Sequence, residues 1–403
     1  MLLVKNGRVI TPIRTIDLGA VLIKGDTIVA VGTQEAVKVP KGTPVIDAQG
    51  CYIAPGFIEG HVHGGAGGDV MAGTVDSILT CGRLHARGGV TSFMPTTLTS
   101  PMTVIEQVLQ ACEEAMNTTY DGAKVLGVHL EGPYFSENQK GAQNAAYLKT
   151  PVPQDYLPLL ERYKCIRKIT AAPELPGALE LGQELRSRGI VAAVGHSDAS
   201  YQDVVRAIEN GYTHATHLFS GMSSVRREQA YRVAGVVEAV LALDELTCEL
   251  IADGHHLPPS LIKMALKAKG SQQICLTTDA MAAAGQGPGK YNLFGLEVVV
   301  EDEVPSVFEV PTRPGQYVAK LADRTAFASS VATMDQVVRT MVELVGLNVS
   351  TAVKMATVVP ARIHHLEKER GMLSPGLKAD VVIFDDRINV HTTIVEGRIV
   401  YQA

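Results

Sequence analysis

Ala54-Pro55-Gly56-Phe57-Ile58-Glu59-Gly60-His61-Val62-His63 is the stretch from which the fold can be read. A short apolar segment delivers two imidazoles at i and i+2, and glycines follow at once. On an extended strand, residues two apart point to the same side. Two neutral imidazoles on one side of a strand end offer a divalent metal a two-nitrogen grip. The stretch predicts a buried strand whose far end carries chemistry.

The same texture recurs downstream. With 56–61 as the first, eight apolar, β-branched runs end in polar residues: 56–61, 90–96, 125–131, 166–172, 190–196, 214–218, 247–253 and 274–279. Helical periodicity follows or intervenes at 75–87, 102–116, 176–188, 201–209, 259–269, 333–345 and 350–357. Pro176 and Pro259 suit helix first turns. Strands alternating with helices imply a parallel sheet with right-handed crossovers. Eight such units over about 300 residues favour a closed (β/α)8, TIM-like barrel over an open doubly wound sheet. No G-x-G-x-x-G follows the first strand and no G-x-x-x-x-G-K-[ST] occurs, which argues against nucleotide cofactors.

The two ends of the chain read differently. Residues 2–4, 7–11, 20–24, 27–31 and 44–47 are short strand signals, with turns at Asn6-Gly7 and Gly25-Asp26. The C-terminus returns to this texture at 380–385, 389–393 and 394–401, with Glu396-Gly397 as a turn. The expected organisation is an α/β protein in two parts. Residues 1–53 plus 358–403 form a small β-sandwich domain, and residues 54–357 form the barrel.

Composition bounds the function. At 403 residues the chain exceeds what one growing core accommodates. A net charge of −6 leaves no global basic field for nucleic acid. The 6 cysteines lack any C-x-x-C, which argues against a disulfide framework or a thiolate zinc site and for reduced core residues. The N-terminus lacks the apolar region of a signal peptide, and no run approaches the roughly 18 residues of a membrane helix. A cytoplasmic protein with no membrane or nucleic-acid partner is expected.

In a barrel of this type chemistry sits at the C-terminal strand ends. Imidazoles or carboxylates stand at six of them: His61 and His63; His129 and Glu131; His196; His214 and His217; Asp253, His255 and His256; and Asp279. Each has a structural alternative. His129 lies inside an apolar run and reads as packing. His196 could enter a helix capped by Ser197 or Asp198, and Asp279 could cap another. His214 and His217 are three apart and cannot both face inward on a regular strand; His217 is the candidate ligand. His255 and His256 point to opposite sides, so at most one faces the site. Zinc-type sites take imidazole nitrogen and carboxylate oxygen and leave a position for water, whose pKa the ion lowers. Glu131, His196 and His217 can build one metal site, and His61 and His63, sharing Glu131, a second. Asp279 suits a proton carrier between water and a leaving amine. The set predicts a metal-assisted hydrolase of an amide or related carbonyl bond.

These residues resemble a known family. Pro55-Gly56-Phe57-Ile58 leading into His61-Val62-His63 resembles the opening of the amidohydrolase superfamily. His129-Leu130-Glu131-Gly132-Pro133-Tyr134, Lys140-Gly141-Ala142-Gln143, Gly195-His196-Ser197, Thr216-His217-Leu218-Phe219, Ile251-Ala252-Asp253-Gly254-His255-His256 and Thr278-Asp279-Ala280 together resemble its N-acetylglucosamine-6-phosphate deacetylase family. The segment 373–380 and Val395-Glu396-Gly397 resemble the superfamily's returning β-domain.

The resemblance implies removal of the acetyl group from an N-acetylamino-sugar 6-phosphate, most simply N-acetylglucosamine 6-phosphate, with acetate as second product. It implies one or two divalent ions, zinc first, held by Glu131, His196 and His217, with His61 and His63 at a second position. It makes Asp279 the general base and then acid. It also implies substrate contacts by Ala142, Gln143, Ser220, Gly221 and His256, a phosphate contact by Arg227, and a homodimer. An arginine fork fits phosphate geometry; Arg227 also reads as a solvated charge in Arg226-Arg227-Glu228. Two segments depart from the family pattern. Ser220-Gly221-Met222 replaces Asn-Ala-Met, and Arg226–Arg232 lacks Arg-Glu-Pro-Gly. A different epimer such as N-acetylgalactosamine 6-phosphate, or another N-acyl or cyclic amide, is the alternative substrate. A catalytically silent barrel would be expected to have lost ligands, and all are present.

Overall fold

The computed structural model describes residues 1–302 and 317–403. Its centre is a set of parallel strands: Phe57–Val62, Val90–Pro95, Val128–Glu131, Ile166–Ala171, Val191–Val194, Tyr212–Ala215, Thr247–Ile251 and Ile274–Thr277. They are called here the first to the eighth strand. The third to eighth form one curled sheet in chain order, and the first and second pair in another. The run expected at 125–131 is two pieces. Lys124–Val125 pairs with the second strand and Val128–Glu131 with the fourth, so one bent segment serves both sheets. A parallel bridge between Thr96 and His129 adds a second link.

The other edges also meet. Asp279 N donates to His61 O (3.0 Å) and His63 N to Ala280 O (2.8 Å). Glu59, fully buried, staples the first strand to the eighth. Its carboxylate accepts from His61 N (2.9 Å), Thr277 Oγ1 (2.6 Å) and Thr278 N (2.9 Å). Burial raises the Glu59 pKa against those three donors, so the staple holds because its hydrogen bonds replace water.

Helices cover the strands, and their apolar stripes explain where they lie. Val75–Arg87 buries Ile78, Leu79, Cys81, Gly82, His85 and Ala86, with Thr74 as N-cap to Ser77 N. Tyr201–Glu209 is closed by a reciprocal Ser200–Asp203 capping box. Each fully buried aliphatic or aromatic side chain, such as Phe57, Phe93 or Leu250, contributes about 1.5–3 kcal/mol. One helix begins later than expected, at Ala178, because Gly177 takes the left-handed region (φ 84°) as its N-cap. Pro176 is therefore outside it.

Both termini contribute to one further sheet. Its order is Arg398–Gln402, Val390–Val395, Val381–Phe384, Tyr52–Pro55, Leu2–Ile10, Thr15–Lys24 and Thr27–Thr33, with Val45–Asp47 also on Leu2–Ile10. The strands are hydrogen-bonded in one continuous order, in which Leu2–Ile10 has register shifts against Thr15–Lys24 and takes Val45–Asp47 and Tyr52–Pro55 along its other edge. One detail corrects the sequence reading. Asn6-Gly7 is accordingly a bulge inside that strand, with Asn6 at φ 58°, and not a turn. The helix Val358–Ile363 packs against the first and eighth strands, so the chain crosses to the small sheet only beyond it. Three helices or strand groups lie outside the elements expected from sequence: Pro153–Arg162, Val236–Ala242 and the antiparallel set Gly289–Leu293, Leu296–Asp302 and Tyr317–Leu321. The last begins the segment that lies over the strand ends.

Candidate metal centre and substrate cavity

The strand ends converge on Glu131. Its Oε1 lies 3.0 Å from His217 Nε2, 3.2 Å from His196 Nε2 and 3.4 Å from His61 Nε2. Its Oε2 lies 3.2 Å from His63 Nε2. Asp279 Oδ1 stands 3.1 Å from His63 Nε2 and 3.5 Å from His61 Nε2. Two donor groups result, Glu131–His196–His217 and His61–His63–Asp279, each with its donor atoms within 4.8 Å of one another. All six residues are buried.

Backbone geometry explains how the chain aims them. His196, His217 and Asp279 adopt positive φ (47°, 30° and 49°) just past their strands. Non-glycine residues pay about 1–3 kcal/mol for such backbone, which persists where the surroundings over-determine it. Gly221, at φ 56°, sits against the site; a Cβ there would lie 2.9 Å from His196 Nδ1.

Whether these residues fit a cation follows from the ring tautomers. His196 Nδ1 bonds the carbonyl of Gln139 (2.9 Å) and His63 Nδ1 that of Thr96 (3.1 Å). His61 Nδ1 bonds Glu249 Oε1 at 2.6 Å. A carbonyl or carboxylate only accepts, so each Nδ1 carries the proton and each neutral ring turns its Nε2 lone pair inward. The inward nitrogens crowd together, His217 Nε2 to His196 Nε2 at 3.1 Å and His61 Nε2 to His63 Nε2 at 3.3 Å, and they face carboxylate oxygens. Such an array is repulsive unless positive charge lies within it. A divalent ion satisfies it, and orienting partners on the remote nitrogen are what metal-binding imidazoles use.

The ion-free electrostatics point the same way. Burial opposes charge on His63, yet Asp279 and Glu131 carry its pKa up to about 9. Burial likewise opposes charge on His61, and Glu131, Glu249 and Asp279 carry it well above the ordinary value. Glu131, although buried, is held well below the usual carboxylate range by His61, His196 and His217. The site is a nest of negative charge and lone pairs that demands protons or metal.

A cavity of about 180 Å³ opens onto these groups. Ala142, Gln143, Ser220, Gly221 and His256 all line it, beside His63, Glu131, His196, His217 and Asp279. Gln143 donates to Glu131 Oε2 (3.0 Å) and accepts from Thr99 N (2.8 Å). His256 is held by Asp253 (Nδ1 to Oδ2, 2.7 Å). Against the cost of burial, Asp253 raises the His256 pKa, and the His256 charge helps draw Asp253 down to about 2. His255 lines a separate, larger cavity of about 410 Å³ with Asp253, Gln286 and Tyr317, which includes none of the six residues that converge around Glu131. The two adjacent histidines do point apart.

Arg227 is not among the cavity residues. It lies exposed on the hairpin Arg226–Glu228 and Tyr231–Val233, in register with Arg232. His129 is structural, with Nε2 at 2.7 Å from Thr170 Oγ1 and its pKa driven far down, first by burial. His214 lies beneath the site on Thr247 and Glu249.

Sequence reasoning missed Glu249, Lys168 and Glu59 as supports of the site, and Leu293, Phe327 and Ser329 as lining. The first three carried a signal. Each is an ionisable residue within a run read as a buried strand, where burial demands a partner. Phe327 packs on His256, with ring centroids 4.5 Å apart.

The comparisons with known proteins agree with this geometry. The amidohydrolase family model matches residues 52–400. N-acetylglucosamine-6-phosphate deacetylase of Lysinibacillus sphaericus is 32% identical over 364 residues, covering 89% of this chain and 88% of that protein. N-acetylgalactosamine-6-phosphate deacetylase of Escherichia coli O157:H7 is 33% identical over 363 residues, covering 90% of each. Among solved structures, N-acetylglucosamine-6-phosphate deacetylase from Pasteurella multocida superposes with a TM-score of 0.90 at 28% identity over 100% of both chains. The Mycobacterium smegmatis enzyme of that name gives 0.87 at 30% identity, again over 100% of both chains. With a family match running from Tyr52–Pro55 through all eight parallel strands into the last strand of the terminal sheet, the chain belongs to the amidohydrolase family.

Proposed function

We propose that this protein is a metal-dependent hydrolase that removes the acetyl group from an N-acetylamino-sugar 6-phosphate. N-acetylglucosamine 6-phosphate is the leading substrate, and the products are the amino-sugar phosphate and acetate. The observation that carries this reading is the convergence of Glu131, His196, His217, His61, His63 and Asp279 on one cavity, together with deacetylases of this type among the relatives.

Glu131, His196 and His217 would hold one divalent ion, and His61 and His63 with Asp279 a second; zinc suits imidazole and carboxylate donors. When bound, such an ion polarises the amide carbonyl and acidifies water. Asp279 takes a proton from the attacking water as its oxygen bonds the carbonyl carbon. It returns that proton to the nitrogen as the carbon–nitrogen bond breaks, so acetate and a free amine leave. His256, braced by Asp253, and the backbone of Ala142, Ser220 and Gly221 orient the sugar. Gln143 keeps the Glu131 carboxylate aimed. Arg227, on its exposed hairpin outside this chain's own cavity, would reach the 6-phosphate held by the neighbouring subunit of the homodimer.

The same reading closes the eight parallel strands into one (β/α)8 barrel, supported by the hydrogen bonds between the first and eighth strands and between the second and third. The barrel domain is 54–357 with the helix Val358–Ile363 added, and the small domain is 1–53 with the remaining C-terminal residues. A cytoplasmic homodimer is part of the proposal. All 6 cysteines are free, as a reducing compartment keeps them. No described helix is long and apolar enough to cross a membrane.

Ser220-Gly221 in place of the family's Asn-Ala favours testing N-acetylgalactosamine 6-phosphate as the second substrate. The test is acetate release from N-acetylglucosamine and N-acetylgalactosamine, each with and without 6-phosphate, before and after chelation. Turnover much faster with a 6-phosphate than without it, and abolished by the chelator, is expected. Equal rates without phosphate, or full activity after chelation, would overturn the proposal.

A further inference from the structure

Beneath the metal centre lies a third donor group that the reaction does not use. His214, Glu249 and Cys275 offer imidazole, carboxylate and thiol, all buried and within 4.8 Å of one another. These are zinc-type donors. A cation is already there, because Lys168, with no exposed surface, sets its Nζ 2.9 Å from Glu249 Oε2. That same oxygen lies 3.4 Å from His214 Nε2.

Glu249 faces the active site with its other oxygen. Oε1 accepts from His61 Nδ1 at 2.6 Å and from the backbone N of His217 at 3.3 Å. Leu218 N also donates to the Glu249 carbonyl at 2.9 Å. One residue of the seventh strand thus touches a candidate ligand of each metal position. A free carboxylate could turn toward His214, but a buried ion pair has few ways to rearrange, since separating it strands a charge in a dry interior.

We propose that Lys168 and Glu249 are a positioning pair. The lysine ammonium acts as a built-in cation that fixes Glu249 on His61 and denies the lower donor group to a metal ion. The proposal rests on the reading of His61 as a metal ligand. Through Glu249, the pair sets the His61 tautomer and ring plane, and thereby the affinity of the His61–His63 position. Through its charge, Lys168 keeps the number of ions at the designed count.

The test uses the full chain, stripped of metal and titrated with zinc by equilibrium dialysis and elemental analysis. Glu249→Gln keeps the shape and loses the charge. It is expected to weaken one ion by about 10–100-fold, the range for lost partners of metal-binding imidazoles, while the other ion stays. In a His61→Asn background, Glu249→Gln should then change zinc binding no further, because residues acting through one another are not additive. Lys168→Met should bind one more zinc per chain than the parent protein. If circular dichroism finds that variant unfolded, Lys168→Gln provides the count. Parent affinity in Glu249→Gln, additive losses with His61→Asn, or an unchanged count without the lysine charge would each overturn the proposal. A parent protein that takes up no zinc would instead overturn the metal centre itself.

Discussion

His196 and His217 face each other Nε2 to Nε2 at 3.1 Å, with Glu131 Oε1 within 3.2 Å of both. Two histidines from different strands do not adopt this approach for packing. With the His196 proton fixed on Nδ1 by the Gln139 carbonyl, its lone pair needs an electrophile in front of it.

Glu131→Gln tests that requirement. Both donor groups lean on this carboxylate, so the substitution is expected to lower metal content at both positions and reduce turnover by at least about 100-fold. Elemental analysis of the dialysed variant checks it. Full metal content would remove Glu131 from the centre.

Asp279→Asn removes the proton carrier and a donor of the second position together. The Glu131–His196–His217 ion is retained, the His61–His63 ion is weakened, and kcat drops by about 10²–10⁴-fold as the proton carrier is lost. The measurement is acetate release alongside metal content; a near-parental rate would take Asp279 out of the mechanism.

The Asp253–His256 pair gives a pH signature. The folded pKa of His256 lies above its unfolded value. Its contribution to stability is therefore complete below about pH 6.5 and is lost as pH rises through the folded value. The Tm difference between the parent protein and His256→Gln should be constant at mildly acidic pH and shrink on the alkaline side. A difference that grows with pH would contradict the sign of the shift.

Arg227→Ala addresses the phosphate. KM for the 6-phosphorylated substrate is expected to rise by about 10-fold or more, as for loss of a charge-assisted contact, while the unphosphorylated sugar is unaffected. Steady-state kinetics on the two substrates decide; equal changes would exclude a phosphate contact.

Local pattern was enough for several elements. The helices Val75–Arg87, Tyr201–Glu209 and Pro259–Lys269 have the bounds their periodicity predicts. The strands before His196 and Asp279 were legible to within two residues, but the sixth is Tyr212–Ala215 and not 214–218, so His217 stands past its end. The antiparallel set over the cavity was not legible: Gly289–Leu293 (GKYNL) is mostly exposed and lacks an apolar run, and the Val298–Val300 run of Leu296–Asp302 has no helix alternating with it to mark a further unit.

The sequence by itself determined which side chains stand at the strand ends, and so the chemistry available: imidazoles, three carboxylates and the glycines that let them approach. It did so because strand period and run length are local properties of a chain. Only the tertiary structure decided that Glu59 joins the first strand to the eighth, that Lys168 meets Glu249 across 81 residues, and that Arg227 stands outside the cavity. Buried charges choose partners by where packing leaves them in three dimensions, and no spacing along the chain encodes that choice.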